Sequence, residues 1–286
     1  MFRLSRWTAV VATLTLTVFG APVAAADDSP FSSIYTPTDG VRAEVGEPVL
    51  LTGGSIMPNG TAAERVELTF DDGATWIGID WPTLPWHYLL TPTQPGDITF
   101  RARGWFGDTV GETSPPRTFR VGTGSPLGPA NCDLGCFYTS SAFPHNEPDT
   151  DPVELGVRFT VDRPLRLNAA YLVRGTYQGP ITVRVWGPDG TLLHEHVDSV
   201  RGEWPALLSA PIDPPVPLQP NVDYVVSYYT PQGGYRQNED FFIGTLLSET
   251  FTFRADAGVF HYGEGGGFPT DTWGHSNYAI FPHVIR

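Results

Sequence analysis

The chain has 286 residues, 41% of them hydrophobic and 17% charged, with 17 Lys+Arg against 31 Asp+Glu and a formal net charge of −14. That composition is globular rather than disordered, and an acidic surface argues against nucleic acid or anionic lipid as the main partner. Glycine (31) and proline (28) are plentiful and long helical periodicities are absent, which predicts an all-β chain of sandwich or barrel type.

Residues 1–26 read as a signal peptide. Arg3 and Arg6 precede the largely apolar run from Thr8 to Gly20, and Ala24-Ala25-Ala26 offers a cleavage site before Asp27. The run is too short and too rich in Thr for a membrane anchor, and no second apolar span follows. The expectation is a secreted, extracellular protein without membrane insertion. Arg3 and Arg6 leave with the leader, so residues 27–286 carry 15 arginines, no lysine and 31 carboxylates, a formal charge of −16.

Residues 27–122 read as one domain. Val66, Leu68 and Phe70 alternate along Arg65 to Phe70, Asp71-Asp72-Gly73 turns the chain, and Ala74-Thr75-Trp76-Ile77 returns. A further strand pair follows, with Trp86 to Leu90 and Ile98 to Arg103 around Pro95-Gly96, and Arg117 to Val121 closes the unit. The segments VELTFDDGATW and WHYLLTPTQPGDITFRARG resemble those of bacterial immunoglobulin-like domains. The resemblance implies a sandwich and says nothing of activity.

Residues 123–130 form a Gly/Pro-rich linker that permits several domain orientations. Cys132 and Cys136 follow it. A metal site needs more ligands than two cysteines, and a redox motif prefers a closer spacing. In a secreted chain this even count reads as a disulfide.

In residues 131–286, Leu155, Val157, Phe159 and Val161 alternate with Gly156, Arg158, Thr160 and Asp162, placing one row on a core and the other toward solvent. Ile181, Val183 and Val185 repeat the pattern, and Pro188-Asp189-Gly190 supplies a turn. Pro282 in the last strand points to an edge or a bulge. Five ordered segments, ELGVRFTVD, NAAYLVRG, ITVRVWGPDGTLL, PVPLQPNVDYVVSYYTPQGGY and AGVFHYGEGGGFPTDTWGHSNYAIFPHV, resemble the secreted bacterial module known as domain of unknown function 4082. That family implies a jelly-roll-like β-sandwich in accessory or binding work, with no assigned activity.

His194 and His196 share one face of a strand and would suit two ligands of a zinc or copper site, but no third ligand is identifiable. Glu147, Asp149 and Asp151 form an acidic loop that could take a structural Ca²⁺, although the EF-hand pattern is absent. No G-x-S-x-G or H-E-x-x-H motif occurs, so no catalytic residue is assigned.

Loop aromatics remain as binding candidates: Trp81 and Trp86 in the first domain, and Trp204, Tyr235, Tyr262 and Trp273 in the second. A sugar's C–H face packs on such rings while neighbouring Asp, Asn or Arg take its hydroxyls. Gly265-Gly266-Gly267-Phe268-Pro269 beside Trp273 reads as a mobile loop. The expectation is a non-catalytic, cofactor-free binding protein for glycan or another cell-envelope component. The alternatives are an adhesion or scaffold protein, and a carboxylate-dependent hydrolase.

Overall fold

The structure, a computed structural model, describes residues 29–79, 84–122, 145–198, 207–248 and 250–286. The first strands are β1 (Phe31–Thr36), β2 (Arg42–Ala43), β3 (Val49–Ile56), β4 (Arg65–Thr69) and β5 (Ile77–Gly78). They are followed by β6 (Trp86–Leu90), β7 (Gly96–Phe106), β8 (Thr109–Val110) and β9 (Arg117–Val121). One sheet runs β1-β3-β6 and the other β2-β9-β7-β4-β5, with β8 against β7. Val66, Leu68, Phe100, Ala102 and Phe119 project inward at alternate positions to form the core between them. On the outer face Arg103 lies over the ring of Trp76 at 3.8 Å and Arg65 over that of Trp105 at 4.3 Å, while Glu67 pairs with Arg103.

The predicted hairpin at Asp71-Asp72-Gly73 is present but wider than the sequence suggests. Ala74 to Trp76 stay in the turn because the Asp71 carboxylate accepts bonds from the Thr75 backbone (2.8 Å), the Thr75 hydroxyl (2.6 Å) and the Thr69 hydroxyl (2.8 Å). A short polar side chain here competes with the ladder for the backbone.

The second set of strands begins with β10 (His145–Asn146), β11 (Val153–Val161), β12 (Leu165–Val173), β13 (Ile181–Trp186) and β14 (Leu192–Asp198). Next come β15 (Leu207–Leu218), β16 (Tyr224–Thr230), β17 (Arg236–Gln237) and β18 (Leu246–Ser248). The last are β19 (Phe251–Phe253), β20 (Gly258–Tyr262) and β21 (Ile280–Ile285). A large sheet runs β14-β13-β16-β11-β19-β18 with β20 also on β11, and it faces the sheet β15-β12-β21; β10 and β17 form a separate ribbon. Leu155, Val157, Phe159, Val183, Val185 and Val226 pack from the large sheet against Leu167, Leu172, Ala210 and Ile280 from the small one. The chain is therefore an all-β protein of two consecutive sandwiches. Pro282 sits on β21, which among the described strands pairs only with β12 and so forms an edge, where a proline is tolerated.

One expectation fails in an informative way. The row of β11 that alternation assigns to solvent is largely covered: Gly156 and Thr160 are buried, and so is Glu154 one step before them.

The two sandwiches touch through the loop preceding β18. Leu50 donates its N–H to the Thr245 carbonyl and Thr245 donates to the Pro48 carbonyl, both at 2.8 Å, so a short parallel bridge crosses from one sandwich to the other. Leu247 packs into the first core and Leu50 into the second. Glu47 accepts bonds from the Thr245 hydroxyl and from Arg254.

Candidate functional site

The aromatic residues singled out from sequence divide sharply. Trp86 is 0% exposed: it stands opposite Gly53 on β3, and a Cβ at Gly53 would overlap its indole. The ring fills the slot that this glycine leaves, so Trp86 belongs to the core and is not a ligand platform. Tyr235 is likewise buried, packed edge-on against Tyr278. Trp81 and Trp204 lie outside the described residues, as do Cys132 and Cys136.

Tyr262 and Trp273 are exposed, and Trp273 at 65% is the most open large apolar side chain among the described residues. Its turn is pinned rather than loose. Ser276 N–H bonds the Trp273 carbonyl at 3.0 Å, Asp240 N–H the Gly274 carbonyl at 2.8 Å and Phe242 N–H the His275 carbonyl at 2.8 Å. Asn238 and Asn277 exchange two backbone bonds just beyond, and His275 Nδ1 lies 2.8 Å from Asp256 Oδ1. Gly274 adopts φ +53°, a left-handed conformation that glycine accepts without strain.

A polar surface runs from this turn to the end of β20. Gln237 Nε2 on β17 donates to Glu147 Oε1 (2.6 Å) and to Glu239 Oε1 (3.4 Å), while Ser276 Oγ reaches Gln237 Oε1 (3.4 Å). At the far end Tyr262 donates to Asp149 Oδ2 at 2.5 Å, and the Tyr235 hydroxyl bonds that of Tyr262. Burial, then the bond to Asp149, raises the Tyr262 phenol above its usual range. Tyr278, Phe260 and Tyr262 stack edge-on beneath, with centroids 5.6 and 6.1 Å apart. The surface thus offers exposed rings at its two ends and the carboxylates of Glu147 and Glu239 between them, with the Gln237 amide buried beneath as their support.

The metal candidates are less well supported. Asp149 Oδ1 is already taken by the Asp151 N–H and Oδ2 by Tyr262, which leaves little of the carboxylate for Ca²⁺. His194 and His196 both lie on β14 and His194 is near Asp213; burial, then the charge of His196, holds the His194 imidazole below its usual range. Among the described residues no group of three or more His, Cys, Asp or Glu is arranged to hold a metal ion.

Sequence reasoning missed the most deeply buried carboxylate among the described residues. Glu154 on β11 is 0% exposed on the outer face of the large sheet. It pairs with Arg184 Nη1 on β13, accepts the Ser227 hydroxyl from β16 at 2.6 Å, and takes a backbone N–H from Gly267. Trp186 Nε1 donates to the same Ser227 hydroxyl at 2.7 Å, and Arg184 Nε bonds Glu195 at 2.7 Å. Burial pushes the Glu154 carboxyl up to about 7 against the opposing pull of Ser227, Arg184 and Gly267. The segment that covers it is the glycine run 263–267. Gly265 N–H donates to Tyr229 at 3.0 Å, the Gly265 carbonyl accepts from Arg184 Nη2 at 3.1 Å, and Phe268 lies 5.6 Å from the Trp186 ring. The only sequence signal was the glycine run itself.

Residues 140–280 match the family model described as "Domain of unknown function (DUF4082)". No curated protein matches the chain. Among solved structures, fibronectin(III)-like modules of Clostridium thermocellum CbhA are 24% identical, over 32% of this chain and 94% of that one, with a TM-score of 0.28. A structure described under carbohydrate-binding modules from the β-sandwich superfamily is 15% identical over 82% and 97%, with a TM-score of 0.22. The FN1–FN3 domains of chicken CNTN1 are 9% identical over 90% and 66%, also with a TM-score of 0.22. The second sandwich of this chain, over residues 140–280, is thus a member of the DUF4082 family.

Proposed function

We propose that the chain is a secreted, non-catalytic binding protein that recognises glycan through the surface between Trp273 and Tyr262. The observation that carries this reading is the exposed Trp273 ring on a turn fixed by backbone hydrogen bonds. A large ring on a backbone fixed in this way is an apolar platform, and its burial by a ligand recovers hydrophobic free energy at little cost in backbone ordering. Glu239 and Glu147, held by the buried Gln237 amide, lie beside it as acceptors for sugar hydroxyls.

The test is retention on insoluble polysaccharides and a glycan array, with Trp273→Ala as the matched control. Removing the ring weakens binding by about tenfold or more and leaves thermal stability nearly unchanged, because the side chain is mostly in solvent. A wild-type chain that retains no glycan defeats the reading.

Charge sharpens the specificity. The chain's net charge is −14, and Glu147, Glu239, Asp149 and Asp151 all belong to this surface or its rim. Neutral polysaccharides therefore bind more tightly than uronic or sulfated ones of equal length at low salt. Raising the ionic strength narrows the gap, because it screens the repulsion. Equal affinity for both classes in low salt would remove these carboxylates from the site.

The second reading, attachment to another protein, has its own observation. β14 pairs only with β13 among the described strands, and it exposes Leu192, Leu193 and Val197, the last at 60%. An apolar edge strand is a template for strand addition by a partner. Cross-linking mass spectrometry that maps partners to β14 in a glycan-independent way would favour it.

A further inference from the structure

The outer face of the large sheet under residues 263–268 sets a polar group beside a small apolar cluster of Trp186, Val225 and Val259 on which Phe268 packs. It carries Glu154, Arg184, Ser227, Tyr229 and Trp186, contributed by three adjacent strands. A carboxylate beside a guanidinium, with a hydroxyl and two aromatic rings, is a poor choice for a structural contact. Burying such a pair carries a large desolvation cost, and apolar residues of similar volume hold a fold as well or better. The combination is a common one for a ligand. Paired sugar hydroxyls donate to a carboxylate and accept from a guanidinium, while the ring's C–H face lies on an indole.

The covering segment occupies these groups as a ligand would. Its Gly267 N–H goes to Glu154, its Gly265 carbonyl to Arg184, its Gly265 N–H to Tyr229 and its Phe268 ring to Trp186. Apart from Phe268, the contacts are made by backbone. Gly263, Gly265 and Gly266 all have positive φ, and a Cβ on Gly266 would overlap the Glu154 carboxylate. Glycines let the chain lie close on the polar groups, yet give it few side-chain contacts to hold it there. Glu154 sits under this cover with its carboxyl pushed up to about 7 by burial, so closing the cover over the ionised group works against solvation.

We infer that residues 263–268 are a displaceable strap over a second binding site, formed by Glu154, Arg184, Ser227, Trp186 and Tyr229, that takes a neutral sugar ring. The site is separate from the Trp273 surface and does not depend on it. The strap competes with ligand for the same donors and acceptors, so apparent affinity is reduced by the fraction of molecules in which the strap is down.

Calorimetric titration of the full chain with cellohexaose, xylohexaose and chitohexaose tests this, comparing wild type with Phe268→Ala. Losing the ring that rests on Trp186 frees the strap, and affinity for at least one oligosaccharide rises about tenfold. Adding Ser227→Ala or Arg184→Gln abolishes that gain, whereas adding Trp273→Ala leaves it in place. The wild-type Gly265 and Gly267 amides also exchange with solvent well before those of β11 and β16. The inference is overturned if Phe268→Ala, folded by near-UV circular dichroism, binds none of the three more tightly than wild type. A gain that survives Ser227→Ala and Arg184→Gln overturns it too, because binding then lies elsewhere. If only the peptide GEGGGFPT binds Phe268→Ala, the face serves its own strap and the assignment to sugar fails. Strap amides that exchange only on global unfolding likewise exclude displacement. If Trp273→Ala alone weakens no glycan binding, the first surface fails and this one stands; if adding Trp273→Ala abolishes the gain of Phe268→Ala, the two surfaces are one site and this inference is overturned.

Discussion

Trp86→Ala lowers the stability of the first sandwich by about 3–5 kcal/mol, the range for removing a buried indole, and leaves glycan retention per folded molecule unchanged. The ring has no exposed surface and occupies the gap opposite Gly53, so its loss leaves a cavity that the β3–β6 pair cannot close without moving strands. Its Nε1 has no hydrogen-bond partner among the described residues, so the loss is one of packing. Urea denaturation followed by tryptophan fluorescence measures the change. The contrast with Trp273→Ala is the point: one tryptophan alters stability and not binding, the other binding and not stability. A mild effect at Trp86, below about 1 kcal/mol, would mean that the ring does not fill the core as described.

The second large effect is expected at Arg184. Replacing it by leucine leaves Glu154 buried without its cation, which costs about 3–5 kcal/mol where the carboxyl is ionised. The cost shrinks on acidification, because a protonated Glu154 no longer needs a counter-charge. The sign for the wild type follows from the direction of the shift. Burial pushes the folded carboxyl up to about 7, whereas the unfolded one keeps the ordinary glutamate value of 4.5. Between these values the folded state binds more protons, so this group's contribution is fully present below 4.5 and is lost as pH rises through 7. The full window amounts to about 3 kcal/mol.

His87, which lies on β6 edge-on to Phe241, works in the opposite sense. Burial depresses its imidazole to about 4, so its contribution is present above about 6.5 and is lost as pH falls through about 4. The contribution of Glu154 is therefore the difference in stability between wild type and Glu154→Gln at each pH. If that difference is flat from pH 5 to 8, Glu154 does not titrate as its burial implies.

Much of this fold was legible because burial follows the strand period. The core rows of β11 and β13 and the edge position of Pro282 all follow from local pattern and proline chemistry. What local pattern could not supply was the partner across space. Trp86 reads as a loop aromatic between prolines, and only its pairing with Gly53, more than thirty residues earlier, makes it core. Glu154 sits in register with solvent-facing positions, and only a strap more than a hundred residues later covers it. Tyr235 follows a glycine turn and is buried by Tyr278 from the end of the chain. Trp273 was recognisable because its exposure is a local property of a Gly-rich turn, and nothing distant covers it.

The bridge at Thr245 has a mechanical consequence. Because Leu50 and Pro48 grip Thr245 through two short backbone bonds, while Leu50 and Leu247 each sit in the other sandwich's core, the seam resists bending and shear as a stitched joint does. Sliding one sandwich past the other at this seam would have to break both bonds and withdraw both leucines from the cores they occupy.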